Sequence, residues 1–198
     1  MNLATLITAS RVAIAPVFAY LFIKGYGSDG SGWIYACVAL AALIELSDII
    51  DGTVARARKE VTDFGKVFDP VADSVSRQTV FIAFMVAGII PLWMYLVFFY
   101  RDAFMQLLRI VCASSGVVLA ARKSGKIKAV LQGIATFGVL AVVWAIGAGR
   151  MEAVVWGRHP GFWVMILPAV YTLLSVIDYI VPNGKLILKM MEAKNKGG

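Results

Sequence analysis

The sequence is short of the residues that disulfide frameworks and soft-metal sites need. It has two cysteines, Cys37 and Cys112, and both lie inside apolar runs with no pairing or metal-binding spacing. Its single histidine, His159, lies beside Pro160 in a predicted loop. We therefore expect neither a disulfide scaffold nor catalysis by histidine.

Charged residues are scarce as well. They make up 16% of the chain, against 60% hydrophobic residues, and the mean hydropathy of +0.80 lies far above that of a soluble domain. The net charge of +7 could suggest a nucleic-acid partner, but the apolar content argues against one. No basic segment precedes the first apolar run and no cleavage site is evident, so a removable signal peptide is not expected. The length suits one integral membrane domain, residues 1–198.

Long apolar runs recur along the chain, each near the ~20 residues that a helix needs to cross a bilayer. We predict an all-α, polytopic membrane protein with six transmembrane helices: 2–24, 33–50, 67–90, a fourth starting at Pro91, 129–148 and 162–181. The second helix is expected to extend past the membrane surface. Segments 59–65 and 122–128 are predicted to be a polar turn and a basic loop. Residues 183–198 are predicted to form a cytoplasmic tail, weakly amphipathic at 186–192.

The basic residues are distributed unevenly between the predicted loops. One set of loops has twelve, whereas the opposite set has only Lys24, Arg150 and Arg158. Because loops rich in Lys and Arg stay in the cytoplasm, both chain ends are predicted to lie there, with the membrane being the inner one if the source is bacterial. The twelve are Arg56, Arg58, Lys59, Lys66, Arg122, Lys123, Lys126, Lys128, Lys185, Lys189, Lys194 and Lys196.

Four acids stand at the ends of the second and third predicted helices. Asp48 and Asp51 share one helix face, as do Asp69 and Asp73. Four carboxylates at one depth near a membrane cannot all stay ionised without cations. Oxygen ligands with no nearby His or Cys favour magnesium, manganese or calcium over zinc. The alternative is a pair of helix ends with solvated acids and Gly52 as a cap.

The spacing of these acids resembles the signature of the CDP-alcohol phosphotransferase family. That signature is matched at every fixed position: Asp48, Asp51, Gly52, Ala55, Arg56, Gly65, Asp69 and Asp73. The resemblance implies transfer of a phosphatidyl group from CDP-diacylglycerol to an alcohol, with release of CMP. It also implies two Mg²⁺ or Mn²⁺ ions held by the four aspartates, Asp73 as the catalytic base, and a homodimer. Residues expected to contact CDP-diacylglycerol are Thr5, Thr8, Gly52, Arg56, Thr62 and Gly65.

Within the family, the chain is most similar to phosphatidylglycerophosphate synthases. The opening Asn2, Thr5, Thr8 and Arg11, the run 64–73, and Gly125-Lys126-x-Lys128 carry this likeness. The resemblance makes glycerol 3-phosphate the expected acceptor. Three residues depart from the family pattern and bear on the acceptor rather than on the reaction class; they are Ala4, Ser74 and Ala129.

Two arginines inside the fourth predicted helix support an anionic acceptor. Arg101 and Arg109 are eight residues apart and share a face, and charges within membrane spans are costly and usually functional. With Lys126 and Lys128 they are predicted to hold the acceptor phosphate. The alternatives are snorkelling or pairing with Asp102, Glu45 or Asp178. Inositol phosphate or serine stays open as the acceptor. A cation transporter is a further alternative, but it would show inverted repeats, and none is seen.

Overall fold

The chain is all-helical, and the computed structural model describes residues 3–28, 32–58, 63–114 and 123–195. In chain order the helices are α1 (Leu3–Gly25), α2 (Gly32–Arg58), α3 (Asp63–Val86), α4 (Leu92–Ser114), α5 (Lys123–Gly147) and α6 (Pro160–Asn195). An irregular segment between α5 and α6 contains a small bridge from Val155 to Arg158. The all-α fold class and the six helices are confirmed.

The packing places α1 at the centre of the acid-bearing helices. It contacts both α2 and α3 along its length, while α5 packs along α6. Contacts of α2 with α5, of α3 with α4, and of α4 with α6 link these groups together. The acids of α2 and α3 are therefore brought to one place, with α4 and α5 beside them.

One end of the bundle is filled by aromatic side chains. Phe22 and Phe84 meet at a centroid distance of 5.1 Å, in an edge-on arrangement that aromatic rings prefer. Phe81 and Phe98 meet at 4.7 Å, and Phe18 stacks on Phe22 at 5.7 Å. All five rings are fully buried. This aromatic end fixes how α1, α3 and α4 lie against one another.

The other end of the bundle buries polar and charged groups instead. Arg11, Arg77, Asp102 and Lys128 are each less than a tenth exposed, and so is Thr8. These residues come from four helices, α1, α3, α4 and α5. Charges are kept inside an apolar bundle only where partners are available, so this polar end is where a functional site is expected.

Within the described part of the chain, three helical stretches are long and apolar enough to cross a membrane: Leu6–Gly25, Ser124–Gly147 and Pro160–Asp178. Large apolar side chains are exposed along the outside of the bundle, as expected for a surface that faces lipid. The remaining helices α2, α3 and α4 contain the acids and arginines described above, which lowers their hydropathy. Membrane character is supported, and six crossings stay a prediction.

The third helix begins and ends earlier than expected. It starts at Asp63 rather than 67 and ends at Val86 rather than 90. Gly88 stops it by taking a φ of 74°, a conformation in which a side chain would be strained. The N–H of Ile89 then bonds the carbonyl of Phe84 at 2.9 Å, closing a Schellman-type cap.

One predicted loop is helical, and the last helix is longer than expected. The prediction of a basic loop at 122–128 is wrong from Lys123 onward, because α5 begins there. Residues 183–195 of the expected tail continue α6 without interruption. The segment 183–195 contains several Lys, Leu and Met residues, which favour helix. The placement of this tail in the cytoplasm stays a prediction, and residues 196–198 lie outside the described part of the chain.

Candidate active site

A cavity of about 370 Å³ opens at the polar end, where α2, α3, α4 and α5 meet. Its volume falls in the range of small-molecule sites. The signature acids in the lining come from α2 and α3, which form the acidic wall, and the cations come from α4 and α5, which form the basic wall and also contribute Asp102. The lining residues are Asp48, Asp69, Pro70, Asp73, Ser74, Arg101, Asp102, Met105, Gln106, Arg109, Gly125, Lys126, Lys128 and Ala129.

Two acids of the cavity are held by donors from α1. Arg11, only 1% exposed, donates through Nη1 to Oδ1 of Asp48 at 2.5 Å. Thr8 donates through Oγ1 to Oδ1 of Asp69 at 3.0 Å. Thr8 was expected to contact substrate; in the structure it contacts an acid of the site, and the substrate contact stays a prediction. Helix α1 thus orients acids from both α2 and α3, and none of its described side chains lines the cavity.

The last acid of the signature is held within its own helix. Arg77 lies one turn after Asp73 and donates through Nη2 to Oδ1 of Asp73 at 2.7 Å. Nη1 of the same guanidinium donates to the carbonyl of Ala129 at 2.8 Å. Glu45 of α2 lies 3.9 Å from the same guanidinium. Asp73 therefore faces the cavity from a fixed position, with its charge balanced by a buried arginine.

The acids of the site are chemically suited to a hard divalent cation, but the described side chains are not placed to coordinate an ion. Asp48, Asp69 and Asp73 offer only oxygen ligands to one cavity. Among the described side chains, no three His, Cys, Asp or Glu groups stand close enough to hold an ion. The side chain of Asp51 is outside the described part. Two-ion binding remains a prediction.

All four cations predicted to bind the acceptor line the cavity, on the basic wall formed by α4 and α5. Arg101 and Lys128 both donate to Oδ1 of Asp102, at 3.1 and 2.5 Å. Within the described side chains, Arg109 and Lys126 make no ion pair. The eight-residue spacing on α4 does bring Arg101 and Arg109 to one surface. The pairing alternative is confirmed for Arg101, which also lines the cavity, and phosphate binding stays a prediction.

The residues expected to contact the nucleotide are only partly described. Gly65 lies in the first turns of α3, half-buried. Gly52 and Arg56 lie in the last turns of α2 and Thr5 in the first turn of α1, and their side chains are outside the described part. Thr62 lies outside the described residues. These contacts stay predictions.

Three residues of the site were not predicted to belong to it, although Asp102 was named from sequence as an ion-pair alternative for the cations. Asp102 joins the two cations, Arg11 holds Asp48, and Gln106 donates through Nε2 to the carbonyl of Pro70 at 2.6 Å. An acid beside an arginine within an apolar helix was a usable signal for Asp102. The others depend on which helices meet, which spacing alone does not give.

His159 lies away from this cavity, as expected for a residue with no catalytic role. Its ring is 6.3 Å from that of Tyr26, just beyond the end of α1. Nδ1 of His159 accepts the backbone N–H of Gly161 at 3.0 Å. Burial lowers the pKa of this imidazole, so a neutral ring serves as a cap for the start of α6.

Comparison with known proteins identifies the family of the chain. The family model for CDP-alcohol phosphatidyltransferase matches residues 1–174. The chain belongs to the CDP-alcohol phosphatidyltransferase family.

The most similar relatives include three proteins with one name, CDP-diacylglycerol–glycerol-3-phosphate 3-phosphatidyltransferase. The one from Treponema pallidum is 30% identical over 192 residues, covering 91% of this chain and 88% of the relative. The one from Bacillus subtilis is 32% identical over 147 residues, covering 70% and 76%. The one from Mycoplasma genitalium is 32% identical over 141 residues, covering 68% and 58%.

Proposed function

We propose that this protein transfers the phosphatidyl group of CDP-diacylglycerol to the hydroxyl of glycerol 3-phosphate. The products are phosphatidylglycerophosphate and CMP, within phospholipid biosynthesis. The observation that carries the proposal is the two-walled cavity, with acids of the family signature facing four cations. The names of the relatives support the acceptor.

The acidic wall serves the reacting pyrophosphate in this proposal. Asp48, Asp51, Asp69 and Asp73 would hold two Mg²⁺ or Mn²⁺ ions, which, when bound, neutralise the pyrophosphate and stabilise the leaving oxygen. Asp73 accepts the proton of the acceptor hydroxyl as general base. The contacts from Thr8 and Arg11 keep two acids aimed into the cavity, and Arg77 does so for Asp73.

The basic wall serves the acceptor phosphate. A dianionic acceptor is repelled by the pyrophosphate and the acids, and cations on the facing wall offset that repulsion. Arg109 and Lys126 have no ion pair among the described side chains, so their donors can turn to a phosphate. Guanidinium groups bind phosphate oxygens in a bidentate manner. Arg101 and Lys128 complete the wall.

The nucleotide is assigned to the remaining residues of the signature. Gly52 lets the nucleotide approach the backbone of α2, and Arg56 pairs with a phosphate. Thr62 and Gly65 lie near the start of α3 in sequence, and Thr5 and Thr8 lie on α1. Alanine at Arg56 should weaken CDP binding; unchanged affinity for CDP in a titration would remove Arg56 from this role.

The membrane arrangement is part of the proposal. All six helices cross the bilayer, and the polar end lies at the cytoplasmic boundary, so that acyl chains stay in lipid while head groups react in water. The protein acts as a homodimer. Cysteine labelling should find position 62 reachable from the cytoplasm and position 152 from the other side, and the reverse result would overturn this orientation. Crosslinking in native membranes tests the dimer.

The deciding experiment is an acceptor panel with the purified protein and CDP-diacylglycerol. Glycerol 3-phosphate, inositol phosphate, serine and phosphatidylglycerol are each added, and CMP and lipid products are quantified. We expect phosphatidylglycerophosphate to form fastest. Faster product formation with another alcohol would keep the reaction class and replace the acceptor. No product with any alcohol, together with cation flux in proteoliposomes, would favour a transporter.

A further inference from the structure

Asp102 has the densest set of polar contacts around the cavity. It is 3% exposed and lies in the middle of α4. Lys128 and Arg101 donate to its Oδ1 at 2.5 and 3.1 Å. Gln78 and Ser74 donate to its Oδ2 at 3.3 and 3.4 Å. One buried carboxylate thus receives donors from α3, α4 and α5.

We propose that Asp102 is a positioning residue for the acceptor phosphate, acting by fixing Arg101 and Lys128 in the cavity wall. This inference rests on the proposed function and deepens it. Asp102 has no part in the chemistry itself, because both of its oxygens are taken up by four donors. Its effect reaches the substrate only through the two cations.

The contacts of Arg101 show how it is oriented. Its Nη1 donates to Asp102, and its Nε donates to Oγ of Ser175 on α6 at 3.2 Å. Ser175 in turn donates to the carbonyl of Thr172 at 2.7 Å. A guanidinium has five N–H donors in a rigid fork, and the described contacts use two of them. The fork is held from two sides while donors remain for a ligand.

Charge balance supports positioning over simple neutralisation. Asp102 supplies one negative charge to two cations, so the trio keeps a net positive charge facing the cavity. Two cations that share one carboxylate oxygen are held close together despite their mutual repulsion. Burying these charges costs desolvation free energy. The arrangement is useful where both cations must bind the same anion.

The test compares three variants with the wild-type enzyme. Asp102→Asn keeps the shape of the side chain and removes the charge, whereas Asp102→Glu keeps the charge. Gln132→Leu is the matched control, because Gln132 is fully buried, donates to Thr172 at 3.2 Å, and lies outside the cavity lining. For each variant, KM for both substrates, kcat and thermal stability in detergent are measured.

We expect Asp102→Asn to raise KM for glycerol 3-phosphate about ten- to a hundredfold, the loss typical of a charge-assisted contact. KM for CDP-diacylglycerol should stay within about twofold, since the acidic wall is intact. Asp102→Glu should recover part of the acceptor affinity. Gln132→Leu should lower stability without raising either KM.

Several outcomes would overturn the inference. An unchanged or lower KM for glycerol 3-phosphate in Asp102→Asn would mean that Asp102 only offsets charge. Equal rises in both KM values, or the same pattern in Gln132→Leu, would assign Asp102 to structure alone. Because Asp102→Glu preserves the charge, it remains informative if Asp102→Asn does not fold. A complete loss of acceptor affinity in Asp102→Glu would also count against positioning by charge. A wild-type enzyme that rejects glycerol 3-phosphate would instead refute the proposed function, and this inference with it.

Discussion

The two ends of the helix bundle bury opposite kinds of side chain, although the same helices build both. On α1, Thr8 and Arg11 lie at the polar end and Phe18 and Phe22 at the aromatic end. On α3, Arg77 lies one turn before the buried ring of Phe81. The aromatic end can gain only from packing, whereas the polar end has costs that substrate or cations must offset. We infer that stability depends mainly on one end and function on the other.

Removal of divalent cations should have the largest effect on activity, and it should affect only the polar end. We expect transfer to stop in excess chelator and to return when Mg²⁺ or Mn²⁺ is restored, since the acids offer oxygen ligands alone. Thermal stability should change far less, because the aromatic packing contains no ion. Full activity in chelator would contradict the two-ion proposal.

Asp73→Asn should come next in size. The variant keeps the shape of the side chain but removes the proposed base, and general-base catalysis contributes about 10²–10⁴-fold. We expect kcat to fall by at least about a hundredfold, with the protein folded and CDP-diacylglycerol still bound. Glu152→Gln, an exposed acid in the segment between α5 and α6, is the control. Activity above roughly a tenth of wild type would remove Asp73 from this role.

Arg109→Ala should affect acceptor binding alone. The lost contact to phosphate corresponds to roughly 1.5–3 kcal/mol, and KM for glycerol 3-phosphate should rise about ten- to a hundredfold. KM for CDP-diacylglycerol should barely change. Arg101→Ala should behave in the same way.

Arg158→Ala is the matched control for these two variants, since Arg158 lies beyond the aromatic end, over the ring of Phe162 at 5.5 Å. Equal damage to both KM values in Arg109→Ala would show that this arginine is structural. A loss of acceptor affinity in Arg158→Ala would show that the assay does not separate the two ends.

Phe84→Ala should have the smallest effect on activity and a clear effect on stability. Phe84 is fully buried and contacts Phe18 and Phe22 at the aromatic end. The loss should stay at or below the ~3–5 kcal/mol of Phe→Ala in soluble cores, because lipid is itself apolar and only packing is lost. Thermal unfolding in detergent measures it. A raised KM in the folded variant would contradict the separation of stability and function between the two ends.

The helices, and the residues on the acidic and basic sides of the cavity, could be predicted from the sequence. Apolar runs of bilayer length gave the six helices, and the spacing of Asp48, Asp69 and Asp73 predicted acids that line one site. The eight-residue interval between Arg101 and Arg109 predicted a shared surface. These features are local, because helix periodicity determines which side chains share a face.

Other features were not predictable from spacing. The bond from Arg11 to Asp48 joins residues 37 positions apart, and that from Lys128 to Asp102 joins residues 26 apart. Such contacts depend on which helices pack together. The early end of α3 did have a local signal in Gly88, but a glycine in an apolar run does not by itself distinguish a helix end from a tolerated interruption.

The pairing of Arg11 with Asp48 bears on how the chain enters the membrane. An arginine at the centre of a membrane helix costs about 2.5–3.5 kcal/mol on insertion scales, and less near its end. In the proposed six-crossing arrangement, helix α1 inserts more readily once α2 supplies the carboxylate, which favours entry of the two as a hairpin. Insertion assays on α1 alone and on the α1–α2 pair would measure this as a difference in inserted fraction. The contact that orients an acid in the folded enzyme would then also act during biogenesis, as a tether between α1 and α2.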